Sequence, residues 1–275
     1  MGTFDSITID LVGTLFAVES DDPLFLGFIR RLWEPSVVSR SGDPVIIRAE
    51  RNVDGWTVRL PSELPSEHKD AWQAADGMRY WLLEHALAGA EGIVDLHAAV
   101  VTRRGDALLL VGESGVGKST LTLALVEGGW TFLSDDMAPI GSDDGLIRPF
   151  PKPIGIKDNT RWEELGHYWN DRDWPPPPRS SFLISPAALP RVGSHPVRAR
   201  WVVFPEFDPR SGPSLVAITA AQAVSRCSDF TRRLTASSVS VLSRLCRDAS
   251  TVAVRYPDSD SAIDLITTLT REESD

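Results

Sequence analysis

The segment from Gly112 to Ser119 constrains this chain more than any other feature. It reads Gly-Glu-Ser-Gly-Val-Gly-Lys-Ser and fits the pattern G-x-x-x-x-G-K-[ST]. The glycines permit backbone conformations that bring successive N–H groups around phosphate oxygens. An apolar run at 107–111 precedes the segment, and a helical pattern at 118–127 follows it. This strand–loop–helix context predicts a phosphate-binding loop in an α/β fold.

The loop and the first turn of its helix supply the predicted nucleotide site. Lys118 is expected to reach the β- and γ-phosphates, and the hydroxyl of Ser119 is expected to ligate Mg²⁺. The helix N-terminus adds partial positive charge. The residues predicted to contact the nucleotide are Gly112, Glu113, Ser114, Gly115, Val116, Gly117, Lys118, Ser119 and Thr120.

Composition limits the classes of partner. The 275 residues carry 28 basic and 38 acidic side chains, a formal charge of −10, and 42% are hydrophobic. That apolar content suffices for a folded core. The acidic balance argues against nucleic-acid or anionic-membrane partners. The sequence shows neither a signal peptide nor an apolar run long enough to span a membrane, so a cytoplasmic location is expected. Two cysteines, Cys227 and Cys246, are expected to be buried free thiols.

Periodicity predicts a small N-terminal α+β unit at 1–65 and a P-loop domain at 66–275. The P-loop domain is expected to be of α/β class. A tryptophan- and proline-rich segment at 158–180 is interpreted as a lid that binds the acceptor. The remaining predicted elements are a strand at 6–18, a helix at 22–33, strands at 44–50 and 55–60, a helix at 68–89, strands at 93–102, 130–133, 198–206 and 251–255, and helices at 219–227, 237–248 and 260–270.

Two carboxylates follow the strand that comes after the loop helix. Asp135 and Asp136 end that strand, and only one helix and one strand separate them from the loop. We therefore expect them at the same edge of the sheet as the phosphates. One can hold Mg²⁺ or its water, and the other can accept a proton from an attacking hydroxyl. His97 interrupts the apolar run 93–102, and from the residues alone a buried structural histidine is the simpler interpretation.

At these elements together the chain resembles the HPr kinase/phosphorylase family, whose core is similar to that of phosphoenolpyruvate carboxykinases. The resemblance covers about residues 93–140 and rests on Leu96-His97, the loop motif and Leu133-Ser134-Asp135-Asp136. It implies an ATP-dependent serine kinase that uses Mg²⁺. It also implies a core with a mixed sheet, Asp135 as general base, Asp136 as a carboxylate that binds Mg²⁺ or supports its ligands, and His97 as a functional residue.

The sequence departs from that family downstream of the carboxylates. The family has a Glu-x-Arg-Gly-x-Gly segment, where this chain has Phe-Pro-Lys-Pro-Ile-Gly-Ile-Lys at 150–157. The glutamate is absent, and Lys152 stands as a candidate replacement for the catalytic arginine. Arg148 and Lys157 are further candidates to neutralise triphosphate charge. This pattern is more similar to the HPr-kinase-like lasso-peptide precursor kinases, which phosphorylate a serine of a precursor peptide.

Two other functions fit the same motifs. A kinase of a small hydroxylated metabolite would use the same loop and carboxylates, because this core recognises phosphate and not the acceptor. A regulatory module that only binds nucleotide would need the loop but no base. Neither the acceptor, the preference for ATP over GTP, nor the oligomeric state follows from the sequence.

Overall fold

The protein forms two compact units, one made of 1–91 with 151–189 and the other of 92–150 with 190–275. The computed structural model describes residues 4–40, 42–156, 165–168 and 182–272. In the described part no helix is long and apolar enough to cross a membrane. The predicted lid at 158–180 lies outside the described residues except for 165–168, and Lys157 lies outside them as well.

The strands of the described residues are numbered in chain order. They are β1 (Asp5–Leu11), β2 (Thr14–Ser20), β3 (Val37–Val38), β4 (Val45–Asn52), β5 (Gly55–Arg59), β6 (Ser66–His68), β7 (Ile93–Leu96), β8 (Ala98–Arg103), β9 (Asp106–Val111), β10 (Thr131–Ser134), β11 (Ala138–Gly141), β12 (Ile154–Ile156), β13 (Phe182–Ile184), β14 (Arg198–Phe207), β15 (Ser214–Ala217) and β16 (Ser250–Tyr256).

The α-helices begin and end close to the predicted limits. Side chains cap several of them at the N-terminus, and Thr219 and Thr235 each form a capping box with the residue three positions later. The helices are α1 (Pro23–Leu32), α2 (Ala71–Gly89), α3 (Lys118–Glu127), α4 (Ala220–Asp229), α5 (Ala236–Asp248) and α6 (Ser259–Glu272).

The first unit is built on a six-stranded sheet in the order β3-β1-β2-β4-β5-β6. Helices α1 and α2 pack on this sheet, and aromatic side chains join the layers. Phe25 stacks on Trp56 with ring centroids 4.3 Å apart, and Phe28 meets Trp72 edge-on at 4.8 Å. The single strand predicted at 6–18 was wrong, because Val12 (φ 45°) and Gly13 (φ 93°) turn the chain into the antiparallel hairpin β1–β2.

The compact unit extends beyond the predicted 1–65. Strand β6 pairs with β5, and α2 packs against β2, β5 and β6. A helix with an apolar face needs a sheet to cover it, and the nearest one in sequence is the N-terminal sheet. A later segment, 151–189, belongs to the same unit.

The second unit contains the loop motif and is built on a mixed sheet in the order β10-β8-β9-β14-β16-β15. The three central strands β9, β14 and β16 are parallel to one another, and the flanking strands are antiparallel to their neighbours. Helix α3 packs on β8 and β9, and α6 packs on α3 and β16. The predicted α/β class with a mixed sheet is confirmed.

The run predicted as one strand at 93–102 is broken at His97. Residues before it form β7, which pairs with β11 in a separate two-stranded sheet, and residues after it form β8 of the central sheet. The break places His97 outside both ladders, where its main-chain N–H donates to the carbonyl of Phe230 over 2.8 Å. A polar residue in an apolar run thus marks a change of sheet.

The two cysteines are free and buried, as predicted. Cys227 lies on α4 and Cys246 on α5, and their sulfur atoms are 4.0 Å apart in the core between these helices.

The central strand β9 should dominate the stability of the second unit. Replacing Leu109, which is fully buried, by alanine should lower the free energy of unfolding by about 3 kcal/mol, because the cavity would lie within a cluster of buried apolar side chains. Val216 on the edge strand β15 is 57% exposed and provides a matched control. We expect V216A to change stability by less than about 0.5 kcal/mol in the same urea titration. Equal losses for L109A and V216A would contradict the assignment of the core.

Candidate functional site

The glycine-rich loop connects the end of β9 to the start of α3. Gly115 and Gly117 adopt φ of 96° and 90°, which L side chains rarely adopt. Glu113, Ser114 and Gly115 are exposed at the tip of the loop, whereas Lys118 is buried at its base. The loop backbone is therefore open to an anion at its tip, and the N-terminus of α3 lies directly behind it.

A tyrosine on β16, two positions from β9 in the order of strands, supports this loop. Tyr256 ends β16, and its hydroxyl donates a hydrogen bond to the carbonyl of Val116 over 3.2 Å. A Cβ atom on Gly117 would lie only 3.0 Å from the same hydroxyl oxygen. Because β9, β14 and β16 are parallel, their C-terminal ends share one edge of the sheet. The close contact with the hydroxyl of Tyr256 accounts for glycine at position 117.

The ammonium of Lys118 contacts three polar atoms of the site. It donates to the carbonyls of Gly112 and Glu113 over 2.8 and 2.7 Å, and it lies 3.1 Å from Nε2 of His97. The side chain is 3% exposed, so these acceptors replace water around a buried charge. The loop is thus folded around its own lysine.

Ser119 contacts the first of the two carboxylates. Its hydroxyl donates to both oxygens of Asp135, each over 3.0 Å, and Asp135 is fully buried. The structure therefore brings together the hydroxyl predicted to ligate Mg²⁺ and the carboxylate predicted to act as base. The metal role predicted for Asp136 stays a prediction.

The backbone turns sharply after Asp135. Asp136 has a φ of 61°, an uncommon value for a residue with a side chain. Its carbonyl lies 2.8 Å from Nδ1 of His97. This turn separates the surroundings of the two carboxylates: Asp135 contacts the P-loop helix through Ser119, whereas Asp136 lines a neighbouring cavity.

That cavity has a volume of about 350 Å³ and is part of the second unit. The loop between α4 and α5 forms one wall and is held to β7 by main-chain contacts, including a bridge between Thr231 and Leu96. Arg232 forms an ion pair with Asp95 over 3.0 Å in the same wall. The lining residues are Asp95, His97, Asp136, Met137, Asp229, Phe230, Thr231 and Arg232.

The oxygen atoms at this edge fit a magnesium–nucleotide complex. Mg²⁺ prefers hard oxygen ligands and is usually bound by one or two carboxylates, a hydroxyl, phosphates and waters. Ser119 and the neighbouring carboxylates of Asp135 and Asp136 include oxygens of this kind. In the described part of the chain, no group of three or more His, Cys, Asp or Glu side chains is arranged to hold a metal ion without a nucleotide.

Two of the basic residues predicted to assist are among the described residues. Lys152 belongs to the first unit, is buried, and its Nζ lies 3.5 Å from the carbonyl of Pro153. Its catalytic role stays a prediction. Arg148 forms an ion pair with Asp144 over 2.7 Å on the turn after β11.

Sequence reasoning missed Tyr256 and the wall formed by Asp229 to Arg232. Tyr256 directly follows the strand predicted at 251–255 and is the last residue of the observed strand β16, whose C-terminal end lies at the same sheet edge as that of β9 because the strands between them are parallel. The wall residues lie between two predicted helices, where no sequence pattern indicates which strand edge the loop will meet.

Comparison with known proteins gives matches to parts of the chain. No protein-family model matches the chain. Over 88 residues the chain is 41% identical to HPr kinase/phosphorylases of two Clostridium botulinum strains, Eklund 17B and Alaska E43. Over 60 residues it is 38% identical to the HPr kinase/phosphorylase of Lachnoclostridium phytofermentans. The chain is similar to HPr kinase/phosphorylases.

The similarity is partial. The aligned segments cover 28% of this chain and 29% of the Clostridium proteins, and 21% of this chain and 19% of the Lachnoclostridium protein. Among solved structures, the Hpr(Ser) kinase/phosphatase from Coxiella burnetii matches 66% of this chain and 95% of its own, with 15% identity and a TM-score of 0.35. The chain thus spans less than a third of the length of the curated relatives it matches.

Tyr256, which contacts the loop, makes the free energy of unfolding sensitive to alkaline pH. Burial raises the pKa of Tyr256 to about 12, above the value of about 10 for an exposed tyrosine. The folded state then holds this proton more tightly than the unfolded state does. Its contribution to stability is complete below pH of about 10 and is lost as the pH rises through about 12.

Tyr256→Phe should remove this contribution. Between pH of about 8 and about 11, wild type should lose about 1 kcal/mol more unfolding free energy than Y256F does, as measured by urea unfolding. Tyr80 is exposed on α2, so Y80F should behave like wild type. An identical alkaline loss in Y256F and wild type would show that Tyr256 is not the buried group.

Proposed function

We propose that the chain is an ATP-dependent serine kinase that transfers the γ-phosphoryl group of ATP to a serine hydroxyl of a peptide or protein. The contact between Ser119 and Asp135 carries this proposal, because it joins a phosphate-binding loop to a buried carboxylate. The partial similarity to HPr kinase/phosphorylases supports the same class of reaction. A module that only binds nucleotide has no use for a base at this position.

The nucleotide would lie along the loop with its phosphates over the N-terminus of α3. Loop N–H groups and the ammonium of Lys118 would bind the phosphate oxygens, and exchange of a loop carbonyl for a phosphate oxygen would keep Lys118 satisfied. Ser119, with a carboxylate of the Asp135–Asp136 pair, would hold Mg²⁺. When bound, the ion neutralises phosphate charge.

Asp135 is proposed as the general base. A carboxylate beside Ser119 lies beside the phosphate end of the nucleotide, where an acceptor hydroxyl must approach. In the transfer, the serine oxygen forms a bond to the γ-phosphorus, and the bond from that phosphorus to the oxygen bridging to the β-phosphate breaks. The serine proton passes to Asp135 and ADP leaves.

Asp136 and the adjoining cavity are proposed to receive the acceptor. The cavity of about 350 Å³ admits a serine with its nearest neighbours but not a folded domain. Phe230 and Met137 offer apolar contact there, and Asp136 can orient a hydroxyl. A flexible peptide segment fits this opening, and a precursor peptide of the lasso type is the acceptor that the downstream departures from HPr kinases favour.

Asp135→Asn tests the assignment of the base. We expect D135N to bind ATP within about threefold of wild type and to lose phosphoryl transfer by about a hundredfold or more, because an amide cannot accept the proton. Transfer is measured with labelled ATP, Mg²⁺ and a panel of serine-bearing peptides, and binding is measured with a fluorescent ATP analogue. Asp260, exposed on the first turn of α6, gives the matched control D260N, which should retain full activity.

Lys118→Ala separates nucleotide binding from chemistry. Removal of the ammonium should weaken ATP binding itself by at least about tenfold, because charge-assisted contacts to phosphate are lost.

Unchanged transfer in D135N would overturn the role of Asp135. A wild-type protein that binds ATP but phosphorylates no peptide would instead favour a nucleotide-binding module or a small-molecule kinase.

A further inference from the structure

We propose that Phe207 binds the base of the nucleotide by stacking, and that it makes the site selective for purine over pyrimidine nucleotides. The inference deepens the proposed function and rests on it for the direction in which the nucleotide lies. Among the described residues of the second unit, Phe207 is the one exposed phenylalanine, tyrosine or tryptophan, at 55%. Single exposed apolar side chains are common on protein surfaces, so the position of this ring relative to the loop is decisive.

Phe207 lies on the same face of the sheet as the phosphate-binding loop. It pairs with Tyr256 in the parallel ladder of β14 and β16, and their ring centroids are 5.8 Å apart. Tyr256 in turn contacts the loop at the carbonyl of Val116. Two positions before Phe207, and so on the same face, the Cδ of Pro205 lies 4.0 Å from the place that a Cβ on Gly112 would take. Phe207 is therefore the next side chain of this face beyond the start of the loop.

The order of strands gives the nucleotide a direction. In the order β10-β8-β9-β14, the strand that leads into the loop lies between the strand that precedes the carboxylates and the strand that ends at Phe207. Both β10 and β9 are antiparallel to β8, so they end at the same edge of the sheet.

The two ends of the nucleotide then lie on opposite sides of the loop strand. In the proposed function the γ-phosphate lies beside Asp135, which directly follows β10. The ribose and base form the other end of the molecule. The C-terminal end of β14 is on the other side of β9, so the base is directed to Phe207.

The chemistry of the ring sets the kind of selectivity. Base–aromatic stacking accepts any base, because every base has a π-face, and the two rings of a purine offer a larger contact than the single ring of a pyrimidine. A phenyl ring has no polar group that could distinguish the edge of adenine from that of guanine. Phe207 thus selects purines as a class.

Phe207→Ala tests the stacking contact with two ligands. F207A should bind ATP about tenfold more weakly than wild type, because the stacking contact is lost. It should bind inorganic tripolyphosphate, which has the phosphates but no base, within about twofold of wild type. Phe207→Trp should bind ATP within about threefold of wild type, because an indole also stacks. Both affinities are measured by isothermal titration calorimetry with Mg²⁺.

Two results would overturn the proposal. Equal weakening of ATP and tripolyphosphate binding in F207A would show that Phe207 only supports the loop through Tyr256. Unchanged ATP binding in F207A would show that the base does not contact Phe207. Tyr80, 54% exposed on α2, gives the matched control Y80A, which should bind both ligands like wild type.

The choice among bases provides a second measurement. Wild type should bind ATP and GTP at least about fivefold more tightly than CTP and UTP, and this difference should disappear in F207A. Y80A should keep the difference. A preference for purines that F207A retains in full would contradict the proposal.

The results also separate this proposal from the serine-kinase proposal. The affinities need no acceptor, so a loss confined to ATP in F207A would support the base site even where wild type phosphorylates no peptide. Conversely, F207A that binds ATP like wild type and phosphorylates a peptide would overturn the base site and leave the serine kinase standing. Wild type that binds neither ATP nor tripolyphosphate would overturn both.

Discussion

The buried ammonium of Lys118 is the charge that the surrounding residues of the site must accommodate. A charge removed from water must find acceptors, and here they come from the loop itself and from His97. Through His97 the requirement extends to the turn after β10. The loop, the break between β7 and β8, and the turn at Asp136 are therefore connected through a single charged group.

Backbone geometry gives the adjacent carboxylates of Asp135 and Asp136 different surroundings. In a regular strand, Asp135 and Asp136 would point to opposite faces. The positive φ of Asp136 ends the strand and turns the chain, while the carbonyl of Asp136 meets the ring of His97. One side chain is thereby buried against Ser119, and the other lines an open cavity. Such strain is maintained where the surrounding contacts determine it.

The sequence was sufficient for the features that depend on local pattern. The loop between an apolar strand and a helix, the carboxylates at the following strand end, and the free buried thiols all follow from spacing and residue type. The class of fold followed from the same alternation of strand and helix. These features need only neighbours in the chain, so one sequence contains their signal.

Features that depend on distant partners were not predictable in this way. The hairpin at Val12 and Gly13 was hidden within an apolar run, and the break at His97 was hidden in the same manner. The extension of the first unit past residue 65 depends on which sheet α2 covers. The support of the loop by Tyr256 depends on the order of strands in the sheet, which periodicity does not give.

The order of strands in the central sheet also has a consequence for synthesis of the chain. One edge of β9 pairs with β8, which precedes it directly, but the other edge pairs with β14, which begins only at Arg198. While the ribosome makes the residues between them, the apolar strand at 106–111 has an unpaired edge, the kind of surface that associates with other chains. The phosphate-binding strand therefore needs protection in the nascent protein until its late partner emerges.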